Sequence, residues 1–293
     1  LPICASPVLG GQKAHNVDTT RLWNDVSTFK INKDQLERIN KYIHNSLGWS
    51  ALNYSIQEKD YELALIIADY TININKKDSL YSYKESHVKY NALSRLLHRA
   101  YYSWIYDKVS QPERTINLND DQIALAHKLI DKGIEYDEID SSAYTPVCYC
   151  VFLREKELVA KLLDKGANIH VCYNGGGGIL LSHAAASGQT DLVYYLIGRG
   201  AHIQLLDVPG NSLLHSAILG QKRELVELAL SLGCDISKID AIGIAMSYTW
   251  GEIRRLNDDL CAPLPALEMV QLLLEYGANP NFWIFDWIDK QED

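Results

Sequence analysis

The nine histidines and six cysteines are the side chains whose types could bind a metal ion. Metal sites usually place such residues at short, fixed spacings. His183 and His215 lie 32 residues apart, and no His-x-x-x-His or Cys-x-x-Cys pair occurs. Cys148 and Cys150 are two residues apart, a spacing that points thiols to different sides of a helix. The sequence therefore predicts no metal site.

Catalytic motifs are equally weak. Cys4, His15 and Asn16 have the residue types that a cysteine nucleophile uses, but nothing in their spacing fixes a thiolate next to a base. The four glycines at 175–178 lack the Lys-Ser or Lys-Thr of a phosphate-binding loop and follow no buried strand. They indicate a flexible turn. The sequence favours a non-enzymatic protein with no catalytic residues and no cofactor.

Composition narrows the range of partners. The 293 residues are 47% apolar and 22% charged, which is typical of a folded protein. Lys and Arg number 28 against 37 Asp and Glu, giving a net charge of −9. A generic nucleic-acid binder needs clustered basic residues, and a membrane-spanning helix needs about 18 consecutive apolar residues. Neither pattern is present, so we expect no nucleic-acid partner and no membrane insertion. Scattered cysteines predict a reducing, intracellular location.

A repeated phrase organises most of the chain. Glycine, a small residue, a polar residue and usually isoleucine recur, and the first three glycines stand 34 and 33 residues apart. An apolar pattern of helical period precedes each phrase, and the glycine suits the end of a helix because it adopts positive φ readily. A second, shorter helical pattern comes earlier in each unit. The phrases span 166–169, 200–203, 233–236 and 277–280.

These features resemble the ankyrin repeat, most clearly over 140–281. Thr145-Pro146 and His215 stand at positions of the family's Gly-x-Thr-Pro-Leu-His-x-Ala-Ala signature. Cys148 and Ser182 replace the signature histidine, and Gln221 stands where the family often has glycine. Pro146 suits the first turn of a helix, where its missing N–H costs nothing.

The resemblance implies an all-α ankyrin-repeat solenoid of about six helix-turn-helix units. Two insertions, near 98–120 and 252–263, interrupt the period. We expect 1–46 to form a helical N-terminal cap or the remnant of a preceding domain, since repeat stacks need capped ends. Residues 47–281 form the repeat domain, and 282–293 form a C-terminal cap or begin a further element.

The resemblance also implies a concave binding face, formed by the hairpin tips and the exposed side of the first helices. The tip positions carry three acids, which favour a basic or hydrogen-bond-donating partner. The alternative is that each Asp bonds its own turn backbone. These predicted partner-binding residues are Asp140, Asn174, Asp207 and Asp240.

Phe152, Leu153 and Leu219 occupy first-helix positions that are usually polar in the family, and three tyrosines lie nearby in register. Exposed, they would form a protein-binding patch. The alternative is that the insertions fold over and bury them. The residues concerned are Tyr144, Tyr149, Phe152, Leu153, Leu219 and Tyr248.

The leading functional hypothesis is therefore a protein–protein interaction module that holds a partner on its concave face. Degenerate repeats with insertions are similar to ankyrin proteins that intracellular bacteria deliver into host cells, which would make the partner a host protein in the host cytosol. The alternative is the targeting part of a larger enzyme, with a catalytic segment in 1–46 or beyond a chain end. The start at Leu1 and the aromatic segment 282–287 leave that alternative open. A third hypothesis is a structural role with self-association through the insertions.

Overall fold

The computed structural model describes residues 32, 34–35, 37–39, 50–79, 89–110, 118–140, 144–170, 180–203, 212–246 and 264–281. The chain divides into two compact units, Leu1–Ala167 and Asn168–Asp293. The segments 175–178, 252–263 and 282–293, and the residues Cys4, His15 and Asn16, lie outside the described residues.

The first unit is built from pairs of antiparallel helices with one short strand pair. The strands β1 (Asp78–Ser79) and β2 (Lys89–Tyr90) are antiparallel, with Asp78 opposite Tyr90. The sequence did not predict them. The helices are α1 (Ala51–Gln57), α2 (Tyr61–Tyr70), α3 (Ala92–Ser110), α4 (Asp120–Asp131), α5 (Pro146–Phe152) and α6 (Lys156–Asp164).

The second unit repeats the same alternation of a short and a longer helix. Its elements are α7 (Leu180–Ala186), α8 (Thr190–Gly198), α9 (Leu213–Leu219), α10 (Arg223–Ser231), a 3-10 turn at Ile236–Lys238, a helical segment at 241–246 and α11 (Leu264–Glu275). The predicted helix-turn-helix repeat is thereby confirmed. The count of six units stays a prediction.

Buried aliphatic stripes hold each pair together. In α6, Leu158, Val159 and Leu162 are buried, and α10 buries Leu225 and Val226 in the same pattern. Residues at i, i+1 and i+4 share one face of a helix, so the stripe meets the neighbouring helices while the opposite face stays polar. Burying each such side chain contributes roughly 1.5–3 kcal/mol.

The first insertion lengthens a helix in the part of it that the structure describes. The first helix of this repeat unit runs to Ser110 as α3. The delayed second helix, α4, begins at a capping box. Asn119 Oδ1 accepts from the Gln122 N–H at 2.8 Å, and Gln122 Oε1 accepts from the Asn119 N–H at 2.9 Å. These reciprocal bonds satisfy two N–H groups that the helix itself cannot pair.

Little of the predicted N-terminal cap falls within the described residues. Ile39 is fully buried, and Arg38 forms ion pairs with Asp60 at the start of α2 and with Asp34 at 3.5 Å. The capping role of 1–46 stays a prediction.

The turn between paired helices requires left-handed backbone at one residue. Gly188 fills it with φ of 66°, but Lys59, Arg154 and Gln221 fill it elsewhere with φ of 63°, 61° and 50°. Left-handed backbone costs a residue with a Cβ about 1–2 kcal/mol. Gln221, which stands where the family often has glycine, therefore occupies a position whose backbone must adopt positive φ.

Gly220 is needed for a different reason, the close approach of two backbones. Its φ of −71° is ordinary for any residue. A Cβ there would lie 2.0 Å from the carbonyl oxygen of Ala185 at the end of α7. Any side chain would therefore force α7 and α9 apart.

We predict that Gly220→Ala lowers the free energy of unfolding by about 3 kcal/mol, since the clash is with backbone that cannot rotate away. Gly198→Ala is the matched control, because its Cβ would meet nothing within 4 Å and alanine favours a helix. Urea unfolding followed by circular dichroism measures both variants. A Gly220→Ala protein as stable as wild type would show that the close approach is not required.

Two lysines link successive second helices of the first unit. Lys128 on α4 donates to the Leu65 carbonyl at 2.9 Å and to Asp69 Oδ2 at 2.6 Å. Lys161 on α6, 33 residues later, repeats the arrangement with the His127 carbonyl at 3.2 Å and Asp131 Oδ2 at 2.7 Å. The lysines thus tie α2 to α4 and α4 to α6.

The hydrogen bond from Lys161 lowers the pKa of the Asp131 carboxyl below its ordinary value. We predict that Lys161→Met raises this pKa toward about 4, the value of an unperturbed Asp. The pair's contribution to stability is present above that ordinary pKa and is lost as pH falls through the lower folded-state pKa. Carboxyl ¹³C NMR titration measures the change, and exposed Lys156→Met is the control. Identical Asp131 titrations in the wild type and Lys161→Met would contradict the assigned cause.

Candidate functional site

Aromatic rings from α3 and α5 form one contact group in the first unit. We call Tyr101, Tyr102, Tyr144, Tyr149 and Phe152 the aromatic cluster. The Tyr101 ring stacks on Phe152 with centroids 5.0 Å apart, and the Tyr144 ring meets Phe152 edge-on at 4.9 Å. Tyr149 lies 5.6 Å from both Tyr101 and Tyr144. Offset and edge-to-face contacts of this kind add about 0.5–1.5 kcal/mol each to the burial of the rings.

Further rings continue the row along α3. Tyr102 lies 5.4 Å from Tyr101, and the His98 ring lies 4.4 Å from Tyr102 and 5.0 Å from Tyr90. The rings therefore run from β2 across α3 to α5.

Burial divides the predicted residues of this region. Tyr149 and Leu153 are buried, at 0% and 1% exposure, so the expected exposed role is wrong for both side chains. For Tyr149 the structure agrees with the alternative of burial by the insertion, because Tyr101 on the lengthened α3 contacts its ring. Tyr144 and Phe152 are half-buried and keep an accessible edge.

Asp140 positions two rings of the aromatic cluster. Its carboxylate accepts a hydrogen bond from the Tyr149 hydroxyl and one from the Tyr144 N–H at 3.1 Å. Its own N–H donates to the Tyr144 carbonyl at 3.0 Å. Asp140 therefore bonds the backbone of its own turn, which was the alternative to a role in partner binding. It also holds the buried Tyr149 in place.

Two further predicted residues lie in the described part of the second unit. In the second unit, Asp240 Oδ1 accepts from the Gly243 N–H at 2.9 Å at the start of the helical segment 241–246, and Leu219 is half-buried at the end of α9. Asn174, Asp207 and Tyr248 lie outside the described residues.

Sequence reasoning missed Tyr101 and Tyr102. They lie in the insertion, whereas the candidate residues occupy equivalent positions in successive repeats. A usable signal existed, because His98, Tyr101 and Tyr102 are spaced i, i+3 and i+4 and must share one helix face.

A cavity of about 260 Å³ opens beside the rings of α3. Its lining includes Lys59, Arg95 and Arg99, together with the rings of Tyr90, His98 and Tyr102. Arg95 is only 2% exposed, and its guanidinium carbon lies 5.9 Å from the Tyr90 ring centroid. The cavity therefore combines cationic and aromatic walls.

Groups that could support metal or nucleophilic chemistry are poorly placed in the described part of the chain. No set of three His, Cys, Asp or Glu residues there is arranged to hold a metal ion. Burial raises the pKa of the Cys148 and Cys150 thiols, which keeps them protonated and poorly nucleophilic. Among the described helices, none is both long and apolar enough to cross a membrane.

Comparison with known proteins agrees with this architecture. Residues 156–240 match the family model described as ankyrin repeats (3 copies). An ankyrin repeat domain from Acinetobacter baumannii AYE, known from a crystal structure, is similar with a TM-score of 0.50 and 20% sequence identity. The match covers 78% of this chain and 98% of that domain. No curated protein matches the chain.

Residues 156–240 are ankyrin repeats, and the predicted all-α repeat fold is confirmed. Ankyrin repeats are generally protein–protein interaction modules. The aromatic cluster lies on first helices and their preceding turn, the part of the repeat that the resemblance assigns to the binding face.

We predict that Tyr149→Phe lowers the free energy of unfolding by about 1–2 kcal/mol, because it leaves the Asp140 carboxylate without its hydroxyl donor. Tyr195→Phe is the control, since its hydroxyl accepts only an exposed hydrogen bond from Arg199 at 3.1 Å. Urea unfolding of the two variants is the measurement. Equal losses in both would show that Asp140 does not fix the cluster.

Proposed function

We propose that the protein binds a partner protein through the accessible edges of the aromatic cluster. The observation that carries this proposal is the arrangement of Tyr101, Tyr144 and Phe152, which are half-buried around a fully buried Tyr149. Each has an apolar surface left partly open to solvent.

The physical argument rests on rigidity. Ring contacts on both sides hold Phe152 in one orientation, and Asp140 bonds the turn that carries Tyr144. Side chains already ordered in the free protein lose little conformational entropy when a partner binds. Aromatic residues in such settings commonly act as hot spots, where truncation costs at least about 2 kcal/mol of binding.

The proposal also covers the cellular location of the protein and the origin of its partner. The degenerate repeats and the lengthened α3 support an intracellular module whose partner is a host protein, with the chain acting as a bacterial effector. The candidate residues Asp140, Tyr144 and Phe152 would contribute to that binding. Leu219 and Asp240 are further candidates, on the second unit.

The test is quantitative capture of proteins from a eukaryotic cell lysate by wild type and by a Tyr101→Ala, Phe152→Ala double variant. Truncating two hot-spot rings should reduce capture of the bound protein at least tenfold. Tyr194→Ala is the matched control, because it removes an exposed aromatic ring from the second unit. Melting temperature and helicity establish that each variant is folded. Undiminished capture by the folded double variant would exclude the aromatic cluster as the binding surface.

A further inference from the structure

The cavity beside α3 has a charge opposite to that of the chain as a whole. The protein carries a net charge of −9, yet Lys59, Arg95 and Arg99 meet at one cavity. Its lining, as far as the structure describes it, contains no carboxylate. Charge complementarity at this point therefore favours an anionic ligand group.

Two arginines of α3 point at the cavity together. Arg95 and Arg99 are spaced i and i+4, so they share one face of the helix. Within the described part of the chain, the buried Nε of Arg99 has no hydrogen-bond acceptor. A buried N–H left unpaired costs about 1–3 kcal/mol, and the other guanidinium donors of Arg99 are the ones that can face a ligand in the cavity.

The guanidinium groups fit a planar, two-oxygen acceptor. Arginine presents its donors in a fixed fork that binds a carboxylate or phosphate through two parallel hydrogen bonds. The Tyr90 ring lies against Arg95 and restricts it.

The cavity is continuous with the aromatic cluster. Tyr102 lines the cavity, and its ring lies 5.4 Å from Tyr101, which in turn stacks on Phe152. One short peptide segment can therefore reach both surfaces, with an acidic side chain in the cavity and an apolar side chain on the rings.

We infer that the cavity lined by Arg95 and Arg99 binds an Asp or Glu carboxylate of the partner, adjacent to an apolar residue that contacts the aromatic cluster. This inference rests on the proposed function and specifies the chemistry of its partner. It differs from the basic partner suggested by the acidic hairpin tips, because the cavity and the tips are separate features.

The experiment selects binding peptides from a displayed library of random 12-residue sequences against the full chain. The selected peptide, labelled with fluorescein, is then titrated by anisotropy with wild type, Arg99→Gln and Arg223→Gln. The Arg223→Gln variant is the control, because that side chain is exposed and pairs with Glu227 in the second unit. Unchanged melting of each variant shows that it is folded.

We expect the selected peptides to share an acidic residue next to an apolar one. Arg99→Gln should weaken binding at least tenfold, and Arg223→Gln should change it less than twofold. Replacing the peptide's Glu by Gln should cost a similar factor in wild type and little further in Arg99→Gln, which is the coupling expected of direct partners.

Peptides that lack an acidic residue, or whose affinity is unaffected by Arg99→Gln, would overturn the carboxylate assignment. If those peptides still lose affinity to the Tyr101→Ala, Phe152→Ala variant, the proposed function stands without it. A phosphoserine in place of the acidic residue that binds more than tenfold tighter would also overturn it, assigning the cavity to phosphate. A library that yields no binding peptide would count against both proposals.

Discussion

Each helix pair that the structure describes depends on burying its apolar stripe against the helices beside it. Apart from α3, the described helices have seven to twelve residues, and an isolated helix of that length is marginal in water. Stacking between neighbours supplies the missing free energy, and it requires close backbone approach, as at Gly220 and Ala185. Local features of the site, including its rings and cavity, are held in place by this stacking.

The candidate site arises where the repeat departs from its period. Lengthening α3 to Ser110 places Tyr101 and Tyr102 beyond the helix that an undisturbed repeat would contain. Tyr101 covers Tyr149 while leaving the edges of Phe152 and Tyr144 accessible. The insertion thus adds the rings of Tyr101 and Tyr102 to those of α5. The same helix carries Arg95 and Arg99, so α3 contributes to both the apolar and the cationic part of the site.

The fold was predictable because periodicity and turn chemistry are local properties. Pro146 starts α5 as expected, and glycines such as Gly166 and Gly200 end helices with positive φ. Side-chain burial in the site was less predictable. Leu153 stands where the family usually has a polar residue, yet both Tyr149 and Leu153 are buried, and the Tyr149 ring contacts Tyr101 of the insertion. The strand pair at Tyr90 and the cavity both depend on contacts between distant segments, which no local pattern encodes.

The two thiols of α5 make the local opening of this helix measurable by chemical modification. Cys148 and Cys150 lie on either side of Tyr149, and both are buried and free. A thiol reagent can reach them only when α5 detaches from its neighbours, so the rate of modification reports the frequency of that local opening. A ligand seated on the rings above would hold the helix closed and slow the reaction. The rate of thiol modification therefore reports whether a ligand occupies the aromatic cluster, although neither thiol contacts that ligand.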